Sequence, residues 1–187
     1  MVEHTRSVGM RELSLHILDV VQNSLAAGAS RIELTIDQDC AADQLTIIVR
    51  DNGRGMDRAQ LEMVTDPFFT TRTTRRVGLG IPLLKAAAER CNGRLVIESA
   101  PGQGTTLQAV FQDSHIDRAP LGNLASTLLT IILGDTCDLH YVHRSDGSEF
   151  SFDTAEIRAA LGDIPLTHPA ARRWLREFLV EGERGVG

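Results

Sequence analysis

Cysteine is scarce in this chain: Cys40, Cys91 and Cys137 stand far apart, with no C-x-x-C pair among them. That spacing excludes a disulfide framework and a thiolate zinc site, and it fits the reduced thiols of a cytoplasmic protein. Aromatic residues make up only 4% of the sequence, so the core has to be aliphatic. No apolar run approaches the ~18 residues of a membrane span, and the polar N-terminus is no signal peptide. A basic excess is missing too. Nineteen Lys and Arg face 25 Asp and Glu, and a net charge of −6 argues against nucleic acid as a partner. What is present, 42% hydrophobic and 24% charged over 187 residues, is the composition of a soluble globular protein. The length suits one ordinary domain and a small appendage.

The stretch Asp51-Asn52-Gly53-Arg54-Gly55-Met56 organises the rest. It follows the apolar, β-branched run Leu45–Arg50, which reads as a buried strand. The strand delivers a carboxylate and two glycines to a sheet edge. Such a carboxylate can accept a hydrogen bond from an exocyclic amine, and glycines let a flat ring approach the backbone. A tight turn built on Asn-Gly explains the same residues.

Ahead of that stretch, residues 10–28 carry Leu13, Ile17, Val20, Val21 and Leu25 at helical spacing, with Gly28 ending the run. A second stripe on the same helix is polar: Glu12, His16, Asp19 and Asn23. It reads as a solvated face or as a ligand site, the latter because small residues from Ser24 to Ala29 follow. Residues 31–37 alternate as a half-buried strand, and Asp57 caps a short helix reaching Val64. Phe68–Arg76 holds four threonines and three arginines and reads as a mobile basic loop. Val77-Gly78-Leu79-Gly80 then opens a helix running to about Cys91, whose glycine-exposed first N–H groups favour an anion, with Lys85 as a charged companion. Strands follow at 94–99 and 106–111, joined through Gly102 and Gly104.

Four separated motifs agree in order and spacing: the Glu12/Asp19/Asn23 helix, Asp51-x-Gly53-x-Gly55, Val77-Gly78-Leu79-Gly80, and Gly102-x-Gly104-Thr105-Thr106. Together they resemble the Bergerat-fold ATP-binding domain shared by gyrase, heat-shock chaperone, histidine kinase and mismatch-repair ATPases, over about residues 10–111. The resemblance implies an α/β two-layer sandwich, a mixed sheet covered by helices, with ATP and Mg²⁺ as ligands. It places Asn23 as the magnesium-holding residue and Asp51 as the reader of adenine. Gly53, Gly55 and Met56 lie under the base, with Thr105 beside Asp51. Gly78, Leu79 and Gly80 meet the phosphates, and Lys85 is a further phosphate contact. Asp19 falls where hydrolysing branches carry a glutamate that activates water, one methylene shorter here.

Pro67–Arg72 with Gly78–Ile81 looks most like histidine-kinase catalytic domains, whereas Asn23–Ala29 looks more like mismatch-repair ATPases. The ten or so residues before the first helix leave no room for a phospho-acceptor hairpin. Residues 1–112 are therefore expected to form the ATP-binding domain and 113–187 an α+β extension of a helix, a hairpin around Asp146-Gly147 and two helices. The expected activity is a stand-alone kinase or ATP-dependent regulator acting on an unidentified regulatory or target protein. The alternatives are a self-contained ATPase with Asp19 as base and ATP-coupled homodimerisation, or a nucleotide sensor that sequesters a partner without chemistry.

Overall fold

The computed structural model describes residues 12–64, 80–134 and 136–186. Its elements are α1 (Leu13–Ala26), β1 (Arg31–Asp39), β2 (Gln44–Asp51), α2 (Arg58–Val64), α3 (Gly80–Arg90), β3 (Arg94–Ala100), β4 (Gly104–Gln112), α4 (Leu124–Leu133), β5 (Asp138–Ser145), β6 (Ser148–Asp153), α5 (Thr154–Leu161) and α6 (Pro169–Val186). The expected mixed, helix-covered sheet is present, in two α/β layers. Its six strands run in the order β3-β4-β2-β1-β5-β6. All pairs are antiparallel except β1 with β5, which is parallel and aligns Arg31–Gln38 with Asp138–Ser145.

Alternation decides which face of the sheet is inside. Ile32, Leu34 and Ile36 on β1 and Leu45, Ile47 and Val49 on β2 are buried, each at 2% exposure or less. Each such side chain contributes about 1.5–3 kcal/mol by leaving water. Residues 45–50 are therefore not buried on both faces, as their apolar run suggests: Thr46 and Ile48 between them are only half-buried. The helices cover one face, against which Ile17 and Val21 of α1, Leu84 of α3, Leu128 of α4 and Leu175 of α6 pack.

The C-terminal part is built into the same sheet and the same core. Asp146 and Gly147 both have positive φ, +46° and +89°, the backbone of a two-residue type I′ hairpin joining β5 to β6. Asp153 caps α5 by accepting the Ala155 N–H at 2.9 Å, and it also pairs with Arg31 of β1 at 2.7 Å. The last helix, α6, opens at Pro169. His168 Nδ1 accepts the Ala170 N–H at 3.3 Å, and Pro169 takes the first helical position, where its missing N–H costs nothing. The segment before α4 runs back to the start of α1, whose first N–H groups donate to the Pro120 and Leu121 carbonyls at 2.9 and 2.8 Å. Those carbonyls do the work of a side-chain cap, which Glu12 does not supply.

Candidate functional site

A cavity of about 440 Å³ opens beside α1, between it, the ends of β2 and β4, and α2. Asp51, the last residue of β2, lies in it at 8% exposure. Burying a carboxylate demands partners, and both oxygens have them: Oδ2 accepts the Ser24 hydroxyl at 2.6 Å and Oδ1 the Gly53 N–H at 2.8 Å. Thr105 stands opposite Asp51 in the β2–β4 register and lines the same cavity, its hydroxyl 3.0 Å from Ser99 Oγ. The loop after Asp51 is tied down from both sides. Asn52 Oδ1 takes the N–H groups of Ser30 and Arg31, each at 2.9 Å, and the Arg54 N–H donates to the Ala27 carbonyl at 3.0 Å.

Of the residues read from the sequence, Asn23, Asp51, Gly55, Met56 and Thr105 line this one cavity. The Asn23 side chain makes no hydrogen bond among the described residues, so its amide faces the cavity uncommitted. Gly53 sits behind Asp51 rather than on the cavity wall; a Cβ there would lie 3.0 Å from both the Ala27 carbonyl and Asp51 Oδ1. Gly55 has φ +67°, and a Cβ on it would overlap the Ala100 carbonyl, so the packing of the chain alone demands glycine there. Lys85, the only lysine in the sequence, is half-buried on α3 and is not part of the lining. Gly78 and Leu79, together with the basic Phe68–Arg76 segment, lie outside the described residues.

The polar stripe of α1 is not a wet face. Glu12 Oε2 accepts from Ser14 Oγ and the Asn123 N–H, both at 3.4 Å. His16 is 3% exposed. Asp19 is half-buried against Gly80, where a Cβ would come within 2.8 Å of Asp19 Cβ and 3.1 Å of its Oδ2. Burial raises the Asp19 carboxyl above its ordinary 3.8, opposed by the nearby His16 ring. The stripe thus runs from the α4 linker, past the start of α3, into the cavity.

Sequence reading passed over Ser24 except as a small residue, and its hydroxyl is what orients Asp51. It also passed over the apolar lining: Val20, Val49, Met63, Val64, Ile81 and Leu107. These form walls that suit a flat heterocycle, with few polar groups to fix its orientation. Their signal was visible but uninformative, because apolar residues at helix and strand spacing read equally well as core.

The cavity joins a buried, doubly hydrogen-bonded carboxylate to largely apolar walls, and comparison with known proteins gives the family it occurs in. The sequence model of the histidine kinase-, DNA gyrase B-, and HSP90-like ATPases matches residues 10–115, more than half of the chain. The chain belongs to this ATPase family. Sensor protein kinase FleS of Pseudomonas aeruginosa is 42% identical over 105 residues, which are 56% of this chain and 25% of that protein. Sensor histidine kinase YxdK of Bacillus subtilis is 31% identical over 116 residues, 58% of this chain and 35% of that one. The chain therefore spans about a quarter to a third of these relatives. Among solved structures, the N-terminal domain of a DNA repair protein superposes with a TM-score of 0.54 at 16% identity, covering 76% of this chain and 53% of that one, a likeness of fold. The domain is thus ATP-binding by family and similar to histidine-kinase catalytic domains. No helix among the described residues is long and apolar enough to cross a membrane.

Proposed function

We propose that the protein binds ATP together with Mg²⁺ in the α1–β2–β4 cavity and acts on a regulatory partner protein, transferring a phosphoryl group to it or switching its state. The observation that carries this reading is Asp51: a buried carboxylate held through both oxygens by Ser24 and Gly53 at the floor of a largely apolar cavity, with the uncommitted Asn23 amide on the same wall. The donor set fits the ligand. Asp51 offers an acceptor for an exocyclic amine, Thr105 a neighbouring hydroxyl, and Asn23 a neutral amide oxygen of the kind a hard cation shares with phosphate oxygens and water. Mg·ATP, when bound, supplies an activated phosphoryl group whose charge the cation partly neutralises. The work left to the chain is binding, orientation and exclusion of water, by the walls from α1, β2, β4 and α2.

One observation favours a second reading, a self-contained ATPase. Asp19 presents a half-buried carboxylate beside the first residue of α3, with its proton affinity raised by burial. A carboxylate so placed can hold a proton at Oδ2 and serve as a general base.

Calorimetric titration with ATP, with and without Mg²⁺, tests the common ground, and ADP release by the protein alone separates the two readings. Binding that Asp51→Asn abolishes, with no turnover in the absence of a partner, supports the partner-directed reading. Steady turnover that Asp19→Ala removes while binding persists supports the ATPase. A wild-type protein that does not bind ATP overturns both.

A further inference from the structure

Ser99 stands one strand behind the cavity wall. Asp51 on β2, Thr105 on β4 and Ser99 on β3 are neighbours in register across the three strands. They share the face of the sheet that carries Val49, Leu107 and Ile97. Asp51 and Thr105 line the cavity, and Ser99 does not. Its hydroxyl is nonetheless fully committed. It accepts the Met56 N–H at 2.9 Å, donates to the Gly104 carbonyl at 2.8 Å and lies 3.0 Å from Thr105 Oγ1.

Counting protons fixes the direction of the third bond. A serine hydroxyl has one proton and two lone pairs. A carbonyl only accepts, so the Ser99 proton goes to Gly104, the shorter of the two oxygen contacts. One lone pair takes the Met56 N–H, and the other accepts the Thr105 hydroxyl. Thr105 has then given away its only proton and turns lone pairs to the cavity. The Asp51 carboxylate beside it, which accepts from Ser24 and Gly53, adds lone pairs of its own. Nearby main-chain donors are spent, the Met56 N–H on Ser99 and the Arg54 N–H on Ala27.

Resting on the reading of the cavity as an ATP site, we infer that Ser99 is a positioning residue for recognition of the base. By taking the Thr105 proton it makes the Asp51–Thr105 wall a surface of acceptors, which selects a purine with a 6-amino group against one with a 6-oxo group. An exocyclic amine brings two N–H donors to that wall. A 6-oxo group brings lone pairs to meet lone pairs, and a buried acceptor left without a donor costs its full desolvation. Without the Ser99 hydroxyl, the Thr105 O–H is free to turn into the cavity and donate to a 6-oxo oxygen. Discrimination between bases thus rests in part on a hydroxyl that does not line the site.

The test is calorimetric binding of ATP and of inosine triphosphate, its 6-oxo counterpart, each with Mg²⁺. It compares wild type with Ser99→Ala, Ser99→Thr, Thr105→Val and the double variant Ser99→Ala/Thr105→Val. Wild type is expected to prefer ATP by about a hundredfold, and Ser99→Ala to reduce that preference about tenfold. Ser99→Thr, which keeps the hydroxyl, should hold the preference within about threefold of wild type. Beside Thr105→Val, Ser99→Ala should leave the preference unchanged, because Ser99 acts through the Thr105 proton. Equal weakening of both nucleotides in Ser99→Ala marks a merely structural role and overturns the inference. So does a wild type that binds both alike, a loss of preference in Ser99→Thr equal to that in Ser99→Ala, or a Ser99→Ala effect that persists beside Thr105→Val. If Ser99→Ala does not melt cooperatively, Ser99→Val, better suited to a strand, takes its place. If Ser99→Thr does not, the single and double alanine variants decide alone. A wild type that binds neither nucleotide overturns the ATP-site reading instead.

Discussion

The hydroxyl of Ser24 donates to Asp51 Oδ2 across 2.6 Å, joining the last turns of α1 to the end of β2 inside the cavity. With the Gly53 N–H on Oδ1, the carboxylate is held at both oxygens and cannot turn. Ser24→Ala removes one charge-assisted bond, and such bonds are worth about 1.5–3 kcal/mol. The expected outcome is about a tenfold loss of ATP affinity with the fold intact, and a larger loss for Asp51→Asn, read by calorimetry beside a thermal melt.

Gly104 and Gly102 both have positive φ, +79° and +75°, yet they answer differently to alanine. A Cβ on Gly104 would overlap the Asp51 carbonyl, whereas one on Gly102 meets nothing within 4 Å. Gly102→Ala should cost only the left-handed backbone penalty of about 1–2 kcal/mol. Gly104→Ala adds a clash with the strand that carries Asp51 and should cost about 3 kcal/mol or more, lowering the melting temperature by about 6–12 °C. Equal shifts in the two melts would contradict this account.

Glu183 clasps the end of α6 to β5. Its Oε1 accepts the Tyr141 hydroxyl at 2.8 Å, and its Oε2 lies 3.0 Å from His143 Nδ1. Burial and the adjacent carboxylate push the Tyr141 phenol well above its usual range, so it stays a donor at any working pH. Glu183→Ala strands two buried polar groups and should cost about 2–4 kcal/mol, against about 1–2 for Tyr141→Phe. Urea unfolding of both single variants and the double variant should show clear non-additivity, because the two residues share one bond.

The buried pair on α1 sets a dependence on pH. His16 has its pKa lowered by burial, so the unfolded chain binds its proton more readily; the stability tied to this group is full above pH 6.5 and falls as the pH drops below it. Asp19 has its pKa raised by burial, so its contribution runs the other way: greatest below pH 3.8 and lost as the pH rises through the folded value. Asp19→Asn should therefore be more stable than wild type near neutrality, with the gain fading toward pH 3.8. His16→Gln should flatten the stability profile just below pH 6.5. Denaturant midpoints measured at several pH values check both.

The parts of the fold legible in the sequence were those whose signal is local. The alternation of Ile32, Leu34 and Ile36, the Asp57 cap and the Asp146-Gly147 turn each declare themselves within a few residues. Ile48 misled because a β-branched residue on the uncovered face of a sheet looks the same, in sequence, as one in the core. Long-range pairings were hidden. Nothing near residue 138 announces that it will lie parallel to residue 31. Within the site, Asp51 and Asn23 were legible only in combination: each alone reads equally as a turn or a solvated face, and the order and spacing of the four motifs together carry the resemblance. Ser24 was not, since it acts through a partner distant in sequence.

The parallel pairing of β1 with β5 has a consequence for how this chain is made. Residues 31–38 find their second neighbour only in residues 138–145, a hundred positions later. At a synthesis rate of about 5–20 residues per second, β1 spends roughly 5–20 s on the ribosome with one row of backbone donors and acceptors bare. A recombinant fragment ending at residue 115, where the family match stops, would carry that bare row permanently, above a core from which Leu128, Tyr141 and Leu175 were missing. Such a fragment is expected to associate edge to edge, and in the finished molecule β5 from the C-terminal third pairs with that row.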